Sequence, residues 1–449
     1  MRQNVAAPLS GSELPSSPSS LGSQTSWSKD IDGLLDVVGG AAGPVVLTTS
    51  GLMGLDPNDG SVRWSYHRDG AIYDELGRNS VVDTTLDRHL ITSPDRRHVA
   101  LRVLGPGTAI NGEQSSYSDR DRNRSQPYIS LVVDAVTGKV TNEHLSAGGA
   151  LQLTDSALLD DTTAYSLAND AKLWDFQQLG FPTPSLGSEA HIGTAGHSSF
   201  LIDTDGQGNL SLAPQAHPSK TRPVPNLLCD QFGRVEVADG WVAYFDDNTW
   251  PKATTKTEAG QAHAVNLDGL AGVPGSETQS YDLGTTLGVN AIASRASGTL
   301  AMLPSSAPTD EGNRFPEFDS RWDGIPSVGQ VFDPRSKTVA PAQEATGIAG
   351  IAVGITSPAM EENPGGQITA RTPDGRTASL PIAPGTTFYS PGISEYSNAQ
   401  LNDLAVAHSK DTALSAVNAP GATLIILNTA PPRDGRAKYY RILGITGGH

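Results

Sequence analysis

The sequence contains a single cysteine, Cys229, in 449 residues. One cysteine excludes an intramolecular disulfide and any metal site built from cysteine alone. Because it follows Leu227 and Leu228, we interpret it as a small buried apolar residue. A chain poor in cysteine is compatible with the bacterial cytosol and with an envelope compartment, so cysteine content does not decide the location.

Positive charge is also scarce, since Lys+Arg 31 against Asp+Glu 48 gives a formal net charge of −17. An acidic surface repels phosphate backbones, and we therefore expect no nucleic-acid partner. The densest group of arginines, Arg120, Arg122 and Arg124, alternates with Asp119 and Asp121. Its charges nearly cancel, and we interpret it as a solvated polar loop.

Long apolar runs and helical patterns are missing as well. No run of about 18 apolar residues is present, so nothing in the sequence predicts a membrane span. Charged residues make up only 18% of the chain, while Gly 48 and Pro 31 are abundant. With no sustained period of 3.6 residues, this composition is typical of many short strands joined by turns. We therefore expect an all-β fold.

The clearest strand signal is the hairpin Ser50–Tyr66, in which two apolar runs flank the turn DPNDG. Pro57 presets φ for the turn, and Gly60 tolerates a positive φ. Trp64 and Tyr66 are two residues apart, so on a strand their rings share one face. The hairpin thus offers a large flat side chain to a neighbouring layer.

The same turn recurs in Val133–Val140, where Asp134 and Gly138 stand four residues apart, as Asp56 and Gly60 do. Further units with three strands, a turn and a fourth strand follow at intervals of about 35–55 residues, a period typical of solenoids and propellers. The order of strands within a unit favours the propeller.

We therefore predict a β-propeller of seven, alternatively eight, four-stranded blades over residues 27–449. Whether Trp27–Ile31 supplies a strand to the final blade and closes the ring is open. Asn142 stands where the first unit has Trp64. We expect blades without a tryptophan at this position to be held by aliphatic packing.

The segment Leu55–Trp64 resembles the tryptophan-docking repeat of pyrroloquinoline-quinone-type β-propellers, usually Ala-x-Asp-x-x-Thr-Gly-x-x-x-Trp. Val133–Val140 resembles its Asp-x-x-Thr-Gly-Lys core. The resemblance implies that Trp64 docks against the next blade and that Asp56 and Gly60 build the turn. It is good in one unit, partial in a second and faint elsewhere.

Members of that family are quinone-dependent dehydrogenases or non-enzymatic scaffolds, such as the outer-membrane-protein assembly lipoprotein. The dehydrogenases share a vicinal Cys-Cys pair beneath the cofactor, which the single Cys229 cannot form. The resemblance therefore implies the non-catalytic scaffold branch. We predict no cofactor and assign no catalytic, cofactor-binding or metal-binding residue.

Residues 1–26 are rich in Ser, Pro and Gly, and we predict a disordered linker there. Two interpretations remain open. The segment is either a native flexible start or the spacer of an ectodomain whose membrane anchor was replaced by Met1, and we favour the spacer.

The string Gly196–Phe200 resembles the nucleophile elbow Gly-x-Ser-x-Gly, with Ser198 at the nucleophile position. Phe200 replaces the second glycine, which the sharp strand-to-helix turn requires. No helical pattern follows, since Phe200–Asp203 is typical of a strand. We therefore predict a structural role for this string.

Asp203–Asn209 offers oxygen ligands at alternating positions with glycines, as calcium loops do, but it lacks the terminal bidentate glutamate. We predict a turn without an ion, and leave open whether Asp203 and Asp205 bind one. The other carboxylates and histidines, which we interpret as turn residues or as lacking metal-ligand spacing, are Asp246, Asp247, Glu361, Glu362, His89, His98, His191 and His197.

From the sequence we predict a non-enzymatic binding propeller of the bacterial cell envelope. Its partners would be membrane or envelope proteins, and a missing N-terminal anchor would tether it to the membrane. The alternative is a quinone-dependent dehydrogenase or a propeller hydrolase acting on glycans.

Overall fold

The computed structural model describes most of the first two thirds of the chain and separate strands beyond. The described residues are 2–16, 25–48, 50–67, 90–104, 128–146, 151–176, 178–179, 192–203, 210–224, 227, 235, 237–245, 259–287, 291–294, 299–302, 330–341, 352–356, 366–371, 377–382, 387–389, 412–415, 417–428 and 439–446.

Strands dominate the first part of the chain. They are β1 (Arg2–Asn4), β2 (Trp27–Asp32), β3 (Leu34–Gly40), β4 (Gly43–Thr48), β5 (Gly51–Leu55), β6 (Val62–His67), β7 (Ile91–Thr92), β8 (His98–Leu104), β9 (Tyr128–Asp134), β10 (Val140–Ser146), β11 (Leu151–Leu153), β12 (Ala157–Asp160), β13 (Thr163–Ser166), β14 (Lys172–Asp175), β15 (Ile192–Thr194) and β16 (Ser199–Asp203).

The later strands are β17 (Leu210–Pro214), β18 (Arg222–Pro223), β19 (Trp241–Phe245), β20 (Ala259–Asn266), β21 (Ser280–Leu287), β22 (Ala291–Ser294), β23 (Thr299–Met302), β24 (Gln330–Asp333), β25 (Thr338–Pro341), β26 (Ala352–Thr356), β27 (Gly366–Arg371), β28 (Thr377–Ile382), β29 (Thr387–Tyr389), β30 (Thr412–Ser415), β31 (Val417–Ala419), β32 (Ala422–Asn428) and β33 (Tyr439–Ile445). A 3-10 helix covers Gly11–Glu13, and helix α1 covers Leu267–Ala271. No helix in the described part is long and apolar enough to cross a membrane.

The described strands form eight sheets, numbered here by position along the chain. Their strand orders are β1-β6-β5-β4-β3 (sheet 1), β10-β9-β8-β7 (sheet 2), β14-β13-β12-β11-β15 (sheet 3), β16-β17-β18 (sheet 4), β19-β20-β21 (sheet 5), β22-β23-β24-β25 (sheet 6), β28-β27-β26-β30 (sheet 7) and β2-β33-β32-β29, with β31 on β32 (sheet 8). Most neighbours are consecutive in sequence and antiparallel, as in a meander.

Successive sheets pack face to face through apolar clusters, each drawn from two neighbouring sheets. In sheet 1, Val37 and Val46 face a cluster shared with sheet 8, whereas Val38, Val45 and Leu47 face one shared with sheet 2. Both faces are therefore buried. Similar clusters join sheets 2 and 3, 3 and 4, 4 and 5, and 5 and 6.

The last sheet receives a strand from the beginning of the chain. β2 pairs antiparallel with β33, from Trp27 opposite Gly444 to Asp32 opposite Tyr439, so Trp27–Ile31 does close the ring. Small meander sheets, packed face to face and closed in this way, are the architecture of a β-propeller. This confirms the predicted all-β propeller fold, while the number of blades stays a prediction.

The predicted hairpin Ser50–Tyr66 forms β5 and β6. Its turn is held by the Asp56 carboxylate, which accepts the Asn58 amide hydrogen at 2.9 Å, and by the Gly60 amide, which donates to the Asp56 carbonyl at 2.9 Å. Gly60 has φ of 71°. Trp64 is buried in the cluster shared with sheet 2.

Tryptophan docking between sheets follows the expected geometry. Trp64 Nε1 donates to the Ala135 carbonyl of sheet 2 at 3.0 Å, and Trp27 Nε1 donates to the Pro57 carbonyl of sheet 1 at 2.8 Å. Trp174 Nε1 of sheet 3 donates to the Gln215 carbonyl beside sheet 4 at 2.9 Å. Trp27 and Trp174 lie on the edge strands β2 and β14, and Trp64 lies on β6 next to β1, and each ring reaches to the next sheet.

Residues 2–16, named here the strap, differ from the predicted disordered linker. β1 pairs with β6, the Ala6 amide donates to the Thr137 carbonyl at 2.9 Å, and the Gly421 amide donates to the Ser16 carbonyl at 2.7 Å. The outer edge of β6 offers unpaired backbone groups, and these order a segment whose composition alone predicts disorder. Residues 17–24 lie outside the described part.

Candidate functional site

Charged side chains gather at short turns in sheets 2, 3, 5 and 6 and in the turn that joins sheet 3 to sheet 4. Arg96 lies between β7 and β8, Asp155 between β11 and β12, His197 between β15 and β16, and Asp239 just before β19. Arg335, from the turn between β24 and β25 in sheet 6, completes the group. These five residues are named the inner-turn cluster.

The closest pair in the cluster joins His197 and Asp155. His197 Nδ1 lies 2.7 Å from Asp155 Oδ2, and the backbone amide of Asp95 donates to Asp155 Oδ1 at 2.9 Å. The hydrogen bond to Asp155, followed by smaller contributions from the charges of Asp155, Asp239 and Asp268, raises the pKa of His197 to about 9 against the opposing effect of burial. His197 is therefore protonated at neutral pH and cannot serve there as a general base.

Opposite charges surround Asp239 and Arg96. Burial raises the pKa of the Asp239 carboxyl, and the charges of Arg96, His197 and Arg335 oppose that shift. Burial, followed by the charge of Arg335, lowers the pKa of Arg96 to about 10, so it stays charged at neutral pH. Arg96 and Asp239 both have positive φ, 60° and 51°, a conformation that tight turns impose on non-glycine residues at some cost.

The string Gly196–Phe200 wraps around the carboxylate of Asp268, which belongs to α1. The Ser198 amide lies 3.1 and 3.0 Å from the two carboxylate oxygens, and the Ser199 hydroxyl donates at 2.7 Å. A Cβ on Gly196 would lie 2.4 Å from the same carboxylate. Phe200 lies in β16, as expected from the sequence, and the strand continues to Asp203. The string therefore anchors one turn to the next sheet.

Of the other residues weighed from sequence, two lie in described strands. Asp203 ends β16, and His98 is buried at the start of β8, where burial lowers its pKa. The described residues contain no group of three or more His, Cys, Asp or Glu arranged to hold a metal. Outside the described residues lie Asp205, Asp246, Asp247, Glu361, Glu362, His89, His191 and Cys229.

Sequence reasoning considered His197 only as a metal ligand and set it aside, and it missed the partners of His197. Asp155, Asp239 and Arg96 are scattered over more than a hundred positions and share no motif. The available signal was positional, since Arg96 and Asp155 lie in short polar turns between consecutive strands and Asp239 in one just before a strand. In a propeller those turns converge on the central axis, so their side chains meet although their sequences differ.

The cluster alternates imidazolium or guanidinium with carboxylate, and its charges nearly neutralise one another. The His197–Asp155 contact links the turn before β16 to the turn before β12, and Arg335 Nε lies 3.4 Å from Asp333 Oδ1 of its own turn. At neutral pH His197 is protonated, and the Ser199 hydroxyl is bonded to Asp268.

Comparison with known proteins gives distant structural likenesses. No family model and no curated protein matches the sequence. The structure is similar to BamB from Moraxella catarrhalis (TM-score 0.35, 10% identity, covering 95% of this chain and 99% of that one). It is also similar to an oligogalacturonate lyase in complex with manganese (TM-score 0.31, 10% identity, 80% and 99%) and to a quinohemoprotein alcohol dehydrogenase from Pseudomonas putida (TM-score 0.27, 10% identity, 98% and 78%). These likenesses are too distant to indicate a function, and the fold assignment rests on the sheet topology.

Proposed function

We propose that this chain is a protein-binding propeller that acts as a scaffold in a complex of the bacterial cell envelope. Residues 27–449 would form one propeller domain, with its partners bound at the outer strands. The binding role is argued from the surface of the described sheets. The envelope location rests on the resemblance of the tryptophan-docking turns to envelope scaffolds of the same repeat type.

The observation that carries the proposal is the exposure of apolar side chains on the edge strands of sheets 2 and 3 and on the penultimate strand β6 of sheet 1. Val62 on β6 is 45% exposed, Leu145 on β10 is 50% exposed, and Leu173 on β14 is 44% exposed. Edge strands such as β10 and β14 are natural sites for protein contact, and β1 covers β6 only over Ser65–His67. Apolar side chains at such edges favour association over solvation.

The inner-turn cluster supports binding over catalysis. His197 is protonated at neutral pH, and the nearby Ser199 hydroxyl is already bonded to Asp268. A hydrolase that used His197 as its base would need a neutral imidazole within reach of a free nucleophile or water. The groups described here instead satisfy one another.

Site-specific photo-crosslinking in intact producing cells tests the binding role. A photoreactive residue at Leu145 or Leu173 should capture a defined protein, whereas the same residue at the exposed Lys220 of sheet 4 should capture none. Identical capture at all three sites, or capture at none of them, would contradict specific protein binding at the outer strands. Mass spectrometry of the crosslinked band identifies the partner.

The location is tested separately. Protease added to spheroplasts should degrade the protein if it faces the outside of the inner membrane, and a cytoplasmic marker protein should survive. Protection of both proteins would place the chain in the cytoplasm and overturn the envelope assignment. Titration with pyrroloquinoline quinone and Ca²⁺, followed by absorbance, examines the dehydrogenase alternative, and saturable binding would favour that enzyme over the scaffold.

A further inference from the structure

The strap occupies a surface that runs from the outer edge of sheet 1 over the turn of sheet 2 to the inner turn of sheet 8. We infer that this surface is an acceptor site for an extended peptide segment of a partner protein, and that the strap fills it in the absence of the partner. The inference rests on the proposed binding function and names the chemistry of the partner.

The strap is held mainly through backbone groups. β1 pairs antiparallel with β6, with Arg2 opposite His67, Gln3 opposite Tyr66 and Asn4 opposite Ser65. A strand added to a sheet edge is recognised through main-chain hydrogen bonds, which any extended peptide can supply. The edge of β6 is therefore tolerant of the sequence that pairs with it.

Further along, the strap makes two more backbone contacts. The Ala6 amide donates to the Thr137 carbonyl at 2.9 Å, and the Ser16 carbonyl accepts the Gly421 amide at 2.7 Å. Pro15 packs so closely over Gly421 that a Cβ there would lie 3.1 Å from Pro15. These contacts use backbone groups of an extended chain, and one side chain adds to them, since Gln3 Nε2 donates to the Gly138 carbonyl of sheet 2.

Little apolar surface is buried by the strap, so a competing segment can replace it. All three side chains of β1 are exposed, and Val5 is 54% exposed. Ala6 alone joins the apolar cluster between sheets 1 and 2, and it is only partly buried. Backbone pairing without side-chain burial contributes little net stability to a strand contact.

The strap also leaves part of the acceptor edge uncovered. β6 runs over Val62–His67, and β1 covers only Ser65–His67. If the register continued, Ala7 would stand opposite Val62, but the strap turns away to Thr137 at Ala6. A partner strand of six or more residues, with an apolar residue opposite Val62, would pair along the whole edge and cover that side chain.

The test uses the strap itself as the probe. A fluorescein-labelled peptide of residues 2–16, RQNVAAPLSGSELPS, is titrated by fluorescence anisotropy into the full chain and into a variant lacking residues 2–16. A tethered strap competes at an effective concentration on the order of mM. The peptide should therefore bind the strap-free variant at least about tenfold more tightly than the full chain.

Two altered peptides sharpen the result. A peptide with Gln3→Pro and Ala6→Pro lacks two backbone donors and should lose binding at least about tenfold. A peptide with Ala7→Leu should bind a few-fold more tightly than the unaltered one, because leucine can cover Val62. Equal binding of all three peptides would mean non-specific adsorption and would overturn the acceptor site.

If the strap-free variant does not fold, the full chain carrying Ala6→Pro weakens the strap without removing it and should gain affinity for the peptide. No binding to either folded variant contradicts the inference while leaving the crosslinking at Leu145 and Leu173 unaffected. A complex between the full chain and the strap-free variant, measured by light scattering, would identify a second copy as the occupant and would also overturn it.

Discussion

The contact between sheets 1 and 2 and the contact between sheets 2 and 3 are made by different kinds of side chain at the same position of the repeat. Across the first, Trp64 inserts its ring into an apolar cluster and donates to the Ala135 carbonyl. At the equivalent position of the second, Asn142 Nδ2 donates to the Ser166 carbonyl at 3.0 Å and to Asp170 Oδ1 at 2.6 Å. One sheet contact is apolar and the other is polar at this point.

The polar contact continues along the same face of sheet 2. Arg102 and Asp160 form a buried ion pair with a 3.1 Å separation, and the His144 ring stacks on Tyr165 with centroids 3.7 Å apart. An aliphatic cluster that includes Leu151 lies beside them. The expectation that aliphatic packing replaces the missing tryptophan is therefore incomplete, because hydrogen bonds and an ion pair contribute as well.

The turn that receives Trp64 and the turn that receives Asn142 differ at one equivalent position, which is Gly138 in the first and Asp170 in the second. Gly138 and Asp170 both take left-handed φ, 76° and 60°, and both donate their amide to the residue four positions earlier. A Cβ on Gly138 would lie 2.6 Å from the Trp64 ring, whereas Asp170 carries a side chain that Asn142 uses. Loss of the tryptophan therefore removes the need for glycine, and the repeat changes at two positions together.

The largest loss of stability should come from removing the Trp64 ring from the contact between sheets 1 and 2. Trp64→Ala should lower the free energy of unfolding by about 4 kcal/mol, because it removes a fully buried ring and leaves a cavity. Asn142→Ala should cost only about 1 kcal/mol, the value of lost hydrogen bonds. Urea denaturation measures both, and equal losses would mean that the two contacts do not differ in strength.

Next in size is the buried ion pair between sheets 2 and 3. Arg102→Met should cost about 3 kcal/mol, because it leaves the buried Asp160 carboxylate without its ion-pair partner. The double variant with Asp160→Leu should recover most of that loss, since both charges are gone. Failure of the double variant to recover stability would show that Arg102 acts through packing rather than charge.

Substitutions in the two turns should change the free energy of unfolding by less. Gly138→Ala should cost about 2 kcal/mol, because the methyl group meets the Trp64 ring and the left-handed backbone disfavours a Cβ. Asp170→Gly should cost less than about 1 kcal/mol, since lost hydrogen bonds are offset by a relaxed backbone. Thermal unfolding of the two variants compares them, and the reverse order would contradict the pairing of tryptophan with glycine.

The smallest effects concern pH, and they have opposite signs at two histidines. The pKa of His98 is lowered, so the unfolded chain takes up its proton first and stability is lost as pH falls below about 6.5. The pKa of His197 is raised to about 9, so its contribution is present below about 6.5 and lost as pH rises to 9. His98→Gln should flatten the acid side of the stability profile, and His197→Gln the alkaline side. Unchanged profiles would contradict these shifts.

Structural elements with a local sequence signal could be predicted from the sequence. The hairpin of β5 and β6, the turn at Asp134 and the strand at Phe200 follow from glycine, proline and alternation within a few residues. The role of Trp64 followed from the repeat it resembles.

The inner-turn cluster and the strap could not be predicted in this way. Asp155 and His197 are brought together by the pairing of β15 with β11, and no local pattern records that contact. The strap has the composition of a linker, and its order comes from an open strand edge elsewhere in the molecule. Both depend on tertiary contacts that propensity does not encode.

Closure of the ring has a kinetic consequence for biosynthesis. β2 pairs with β33, and the Arg441 side chain contacts Asp30 across a separation of 411 residues. Until residues 439–446 have been synthesised, the face of sheet 1 that carries Val37 and Val46 lacks its final neighbour. Contacts of such long range form late and leave apolar surface available for misassembly. The nascent chain should therefore depend on chaperones until its last strand is released from the ribosome.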